Sequence, residues 1–130
     1  MQKATHKLES VKTACDRALA GEDTVLFTAP TRSLFQIVET FSCSVPEAKR
    51  ICIEGVRSLE PSDFSHSLFQ WDAVADVYGL QNYQGFDWYV KFILDKDECG
   101  ELLESISFHR PEKDLKLVDG RVLKAKGGEK

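Results

Sequence analysis

The sequence predicts an α+β domain in which N-terminal helices pack on an antiparallel β-sheet meander. Three observations carry that expectation. Apolar residues recur at three- and four-residue steps up to about Leu59 and at two-residue steps beyond it. The links between the later apolar runs are too short for a parallel crossover. The length, 130 residues, holds one domain.

From Lys7 to Ala20, Leu8, Val11, Ala14, Cys15, Ala18 and Leu19 paint one face of an amphipathic helix that Gly21 stops. A short β-rich piece, Val25-Leu26-Phe27, precedes Pro30. Thr31 or Ser33 caps a second helix with Leu34, Ile37, Val38 and Phe41 as its stripe. Ser44 caps a third, with Pro46 in its first turn, Glu47 reaching back, and Ala48, Ile51, Cys52 and Val56 as the buried line. Four strands follow, Phe64 to Gln70, Val74 to Leu80, Phe86 to Leu94 and Glu101 to Phe108, separated by Trp71-Asp72, by Gln81 to Gly85 and by an acidic turn from Asp95 to Gly100. Residues 1–110 form the domain. Residues 111–130, charged and ending near a Gly-Gly, are expected to be a partly disordered tail.

The formal net charge is −4. The tail carries six basic and four acidic residues, which leaves the first 110 residues at −6. That balance argues against a broadly basic nucleic-acid binder and asks for a local basic patch if nucleic acid is the ligand. No run approaches the ~18 apolar residues of a membrane span, and the charged start is unlike a signal peptide, so the expected location is the cytoplasm. Cys15, Cys43, Cys52 and Cys99 contain no C-x-x-C pair, and His6, His66 and His109 are too scattered for a zinc spacing. Neither a metal nor another cofactor is expected, and the thiols read as reduced and structural.

Alternation sorts the strands into faces. In the third strand Phe86, Trp88, Val90, Phe92 and Leu94 form the core side, and Asp87, Tyr89, Lys91 and Ile93 the open side. In the fourth, Leu102, Ile106 and Phe108 match the core, which puts Ser105, Ser107 and His109 beside Tyr89 and Lys91. The first strand leaves two choices, Phe64, His66 and Leu68 inward, or Ser65, Ser67 and Phe69. A sheet face with Tyr, Lys, Ser and His suits metal-free cleavage of RNA, which needs a base for the ribose 2′-OH, an acid for the leaving 5′-oxygen and a cation for the phosphorane. Histidine serves either proton role near neutral pH. An antiparallel sheet with one plain solvated polar face has the same composition.

The same strands carry a resemblance. Leu59-Glu60-Pro61-Ser62-Asp63-Phe64-Ser65-His66-Ser67, Asp76-Val77-Tyr78, Trp88-Tyr89-Val90-Lys91-Phe92, Leu102-Leu103 and Ser107-Phe108-His109, with the opening Thr5 to Lys12, resemble the motility quorum-sensing regulator (MqsR) family of toxins. The resemblance covers about residues 5 to 115. It implies a RelE-like ribonuclease toxin fold and a metal-independent endoribonuclease, the mRNA interferase of a type II toxin–antitoxin module. The implied partners are single-stranded mRNA and a cognate antitoxin protein. The family's D-F-Y-K-S, Q-D-V-Y, Y-[LV]-K and S-F-K motifs place His66 and His109 at its two lysines, Tyr89 at its tyrosine and Ala75 at its glutamine.

On this reading the catalytic residues are His66, Tyr89 and His109. One histidine is the general base and the other the general acid, with Tyr89 hydrogen-bonding the scissile phosphate. Lys91 or Arg110 supplies positive charge, and Trp71 at a strand end stacks on a base. Because Ala75 keeps nothing of the glutamine, the alternative is a catalytically weakened relative that binds RNA or a protein.

Overall fold

A computed structural model of the chain describes residues 4–22, 24–25, 32–70, 73–97 and 100–125. Helices α1 (Leu8–Leu19), α2 (Arg32–Phe41) and α3 (Val45–Arg57) precede a 3₁₀ turn at Pro61–Asp63. Strands β1 (Phe64–Gln70), β2 (Ala73–Tyr83), β3 (Phe86–Asp97) and β4 (Gly100–His109) form one antiparallel meander in that order. The expected α+β architecture is the one observed. No helix among the described residues is long and apolar enough to cross a membrane.

Helices α1 and α3 form for the reasons their sequences suggest; of the two caps expected for α2, Ser33 lies inside the helix and Thr31 lies outside the described residues. Val11, Ala14 and Cys15 are the buried line of α1. Ser44 caps α3 by accepting from the Glu47 N–H at 3.2 Å, with a proline in the first turn, and Ala48, Ile51, Cys52 and Val56 turn inward. All three helices lie on one sheet face, where Trp88, Val90, Phe92 and Phe108 have no exposed surface. Tyr78 stacks on Phe92 at 5.5 Å, and the buried Trp88 indole N–H donates to the Tyr83 carbonyl at 2.8 Å. Burial pushes the Cys15 thiol up to about 12 and raises Cys52 further, so both keep their protons. Cys99 and the Leu26-Phe27 pair lie outside the described residues.

The chain before α1 is pinned to the sheet by one buried carboxylate. Asp76 accepts from the Thr5 N–H at 3.0 Å, the His6 N–H at 2.7 Å and the Ser67 hydroxyl at 2.6 Å. His6 is half-buried, and its Nε2–H donates to the Val74 carbonyl at 2.8 Å.

Two irregularities decide the faces. In β1, Phe64 pairs with Tyr78 but His66 with Val77, so Ser65 is an extra residue. This bulge keeps Phe64 in the core and turns His66 to the opposite face, so neither regular alternation holds. In β4, Ser107 pairs with Lys91 but Glu104 with Ile93, a second one-residue slip. It carries Leu103 into the helix-side core where Leu102 was expected, while Ile106 and Phe108 stand as read.

The segment from Pro111 corrects the expected tail as far as Ala125. Strands β5 (Leu115–Lys116) and β6 (Val122–Leu123) form a hairpin laid over the sheet face away from the helices. Its Leu115, Leu117 and Leu123 bury against Val77 and Tyr89. Arg121 fastens it by donating to Asp63 at 2.7 Å and to the Ser62 carbonyl at 3.2 Å, and the Val118 N–H donates to the Phe64 carbonyl at 2.8 Å. High charge density hid three inward leucines. Residues 126–130 lie outside the described residues.

Gly79 on β2 makes that approach possible. A Cβ there would lie 2.7 Å from Leu117 Cδ2 and 2.7 Å from Leu123 Cδ1. Gly79→Ala is expected to destabilise the protein by ~1–3 kcal/mol through overpacking, read by urea unfolding. Amide exchange at Leu117 and Gly120, whose N–H groups bond within the hairpin, should rise while that of α3 stays unchanged.

Candidate active site

The hairpin converts the open sheet face into a hollow. A cavity of about 550 Å³ lies between β1, β3 and β4 and the segment entering β5, and His66, Tyr89, Lys91, Ser107 and His109 line it. Glu112, Lys113 and Asp114 form the rim. Five residues that sequence alternation and motif order singled out therefore share one concavity. Arg110 does not join them. It follows His109 by one residue and so faces the other way, where its guanidinium sits 4.5 Å from the Phe86 ring centroid and its N–H donates to Gln36 on α2 at 2.8 Å. Trp71 and the Ser105 side chain lie outside the described residues.

Tyr89 and His109 are direct cross-strand partners. Their rings stack at 5.0 Å with an interplanar angle of 13°. His109 Nδ1 lies 2.8 Å from the Arg110 carbonyl, which can only accept, so Nδ1 carries the proton and Nε2 holds the lone pair of the neutral ring. Lys91 pairs with Ser107, which makes it the diagonal neighbour of His109, ~7–8 Å away between backbones and within reach of a long side chain.

Burial tunes both β3 side chains. It lowers the Lys91 ammonium below its ordinary value. It raises the Tyr89 phenol, and the nearby Glu112 carboxylate adds to that, so Tyr89 stays a neutral O–H donor. The Ala125 N–H at 2.9 Å, with Lys124 at 3.4 Å, holds the Asp114 carboxyl below the usual range.

His66 sits apart. It belongs to the first strand and His109 to the fourth, three spacings or ~14 Å across the sheet. Ser65 spends its only hydroxyl proton on the Lys116 carbonyl at 2.6 Å and so accepts from His66 Nδ1–H at 2.9 Å. Both histidines are thereby held as the same tautomer. Ser65 as orienter, and Glu112, Lys113 and Asp114 as rim, are not legible when the domain is ended at 110, because Lys116, which takes the Ser65 proton, and the rim residues all lie beyond it.

Ala75, at the position of the resembled family's glutamine, is fully buried on the same sheet face, paired with Leu68. It brings no polar group to the hollow.

The chain matches no family model, no curated protein and no solved structure. The chemistry is therefore argued from its own side chains.

The lowered ammonium gives a direct test. In an NMR titration of the lysine side chains, Lys91 should lose its proton below the ordinary value of 10.5 because burial disfavours its charged form. Gly79→Ala, by loosening the hairpin, should move that midpoint back up; an unchanged midpoint would remove burial under the hairpin as the cause.

Proposed function

We propose that the protein is a metal-independent endoribonuclease that cleaves single-stranded mRNA by transesterification. On this reading it is the toxin of a cytoplasmic type II toxin–antitoxin pair, held in check by a cognate antitoxin protein. The observation that carries the proposal is the stacked Tyr89–His109 pair beside a partly buried Lys91 in one hollow. The toxin role follows the MqsR resemblance of the motifs that supply these residues.

The cluster supports a balanced reaction. His109 Nε2 takes the ribose 2′-OH proton as the 2′-oxygen attacks phosphorus. The bond to the 5′-oxygen breaks, and that oxygen takes a proton from the Lys91 ammonium. Products are a 2′,3′-cyclic phosphate and a 5′-hydroxyl; exchange with water returns one proton to Lys91 and removes one from His109. Lys91 also offsets phosphorane charge, and its lowered proton affinity makes it a stronger acid than a solvated lysine. The Tyr89 O–H donates to a non-bridging oxygen. Base and acid must both reach oxygens on one phosphorus, within ~2.6–3.2 Å. His109 with Lys91 meets that demand more simply than two histidines on opposite edge strands.

Ala75 favours the second reading, a weakened relative that binds RNA or protein without cutting, and one experiment separates the two. Purified protein with single-stranded RNA in EDTA should yield cyclic-phosphate ends. His109→Ala should cost ~10²-fold or more in rate. Expression in a bacterium should arrest growth, His109→Ala should relieve the arrest, and coexpression of the antitoxin should restore growth. Binding without cleavage by the wild type would replace the nuclease reading with the binding one.

A further inference from the structure

Beyond the reacting cluster, a single row of side chains crosses the sheet from edge to edge. Pairings place His66, Val77, Lys91 and Ser107 side by side on β1 to β4. Val77 in that row is buried under the hairpin leucines, so a strand of RNA whose scissile phosphate sits between Lys91 and His109 reaches His66 through the cavity that all three line. His66 lies two strand spacings, ~10 Å, from Lys91 across the sheet, too far to share a phosphorus with it, so His66 meets a neighbouring nucleotide.

Space for that nucleotide exists. A second cavity of about 590 Å³ adjoins the first and shares His66, Asp114 and Leu115 with it. Its other wall is the hairpin, where Val118 is exposed. An exposed valine and an imidazole plane suit the face of a base. The edge is also specified: with Nδ1–H committed to Ser65, a neutral His66 presents Nε2 as an acceptor, suited to an amino or imino N–H on a base.

We infer that His66 and the hairpin hollow form a base-binding subsite for a nucleotide flanking the cleaved phosphate. His66 is then a specificity residue rather than the acid or base of the reaction, and Ser65 positions it. The inference rests on the endoribonuclease reading of the same face, and its test separates the two.

Binding is measured first with all-2′-deoxy oligonucleotides of random sequence, which lack the attacking hydroxyl, at one fixed salt concentration. The wild type should bind a hexanucleotide at least ~10-fold more tightly than a dinucleotide, within the range expected for one stacked base. His66→Ala should erase that length dependence and His109→Ala should keep it, with circular dichroism confirming the fold of each. Cleavage of a random-sequence RNA pool is measured next. His66→Ala should still cut but flatten the base preference at the flanking position, and His66→Gln, which keeps an acceptor, should restore part of it. Length-dependent binding through His66 without cleavage by the wild type would leave the subsite standing and remove the nuclease. Unchanged hexanucleotide binding by His66→Ala, absence of length dependence in the wild type, or a ~10²-fold loss of dinucleotide cleavage on His66→Ala would each overturn the subsite.

Discussion

Gly79 has no side chain, and the methyl groups of Leu117 and Leu123 come within 2.7 Å of where its Cβ would be. Most features of the candidate site depend on that close approach. It lets the hairpin lie flat on the sheet, which makes a wall from residues that would otherwise trail into solvent. Tyr89 packs against that wall, and burial raises its phenol and lowers the neighbouring Lys91 ammonium. The hairpin also delivers the Lys116 carbonyl that decides, through Ser65, which nitrogen of His66 carries the proton. The sheet is thus a middle layer, with helices stabilising one face and a small leucine cluster organising the other.

Net charge acquires a location in this arrangement. An acidic body of −6 is poorly suited to holding RNA along its whole surface, but phosphate contacts need charge only where the backbone passes. The basic surplus of the last twenty residues is not remote from the site, because the fold brings Lys113 to the rim near Lys91. Asp114, in the same stretch, is occupied by Lys124 and the Ala125 amide. Glu112 remains the acidic rim group closest in effect to the chemistry, acting on Tyr89.

Much of this was legible in the sequence, for identifiable reasons. The 3.6 and 2 periods separated helices from strands, and β3 showed its faces because Phe86, Trp88, Val90, Phe92 and Leu94 alternate without interruption. That alternation also placed Tyr89, Lys91, Ser107 and His109 together. It failed at Ser65 and between Glu104 and Ser107, since a bulge adds a residue whose effect exists only in relation to the partner strand. Arg110 failed for a simpler reason: it is one residue from His109, and in a strand one residue is the opposite face. The hairpin did carry a signal. Asp119-Gly120 sits between Leu115-Lys116-Leu117 and Val122-Leu123, a turn dipeptide between short apolar runs, with Gly120 at φ 98°. Charge counting over the whole segment averaged that signal away.

The two histidines share a property that composition does not reveal. Each has its Nδ1 proton assigned by a neighbour that cannot donate back, the Arg110 carbonyl for His109 and, for His66, a Ser65 oxygen whose own proton is spent on Lys116. Each ring therefore enters any encounter with one negotiable nitrogen. In the proposed reaction this matters more than the number of histidines present, because a base must offer a lone pair at the moment of attack without reorganising its surroundings. Stacking against Tyr89 adds a second restraint, holding the His109 ring parallel to a phenol that burial keeps protonated. The acceptor at His109 and the donor at Tyr89 are thus set side by side by a single cross-strand pair, before a substrate contributes any contact.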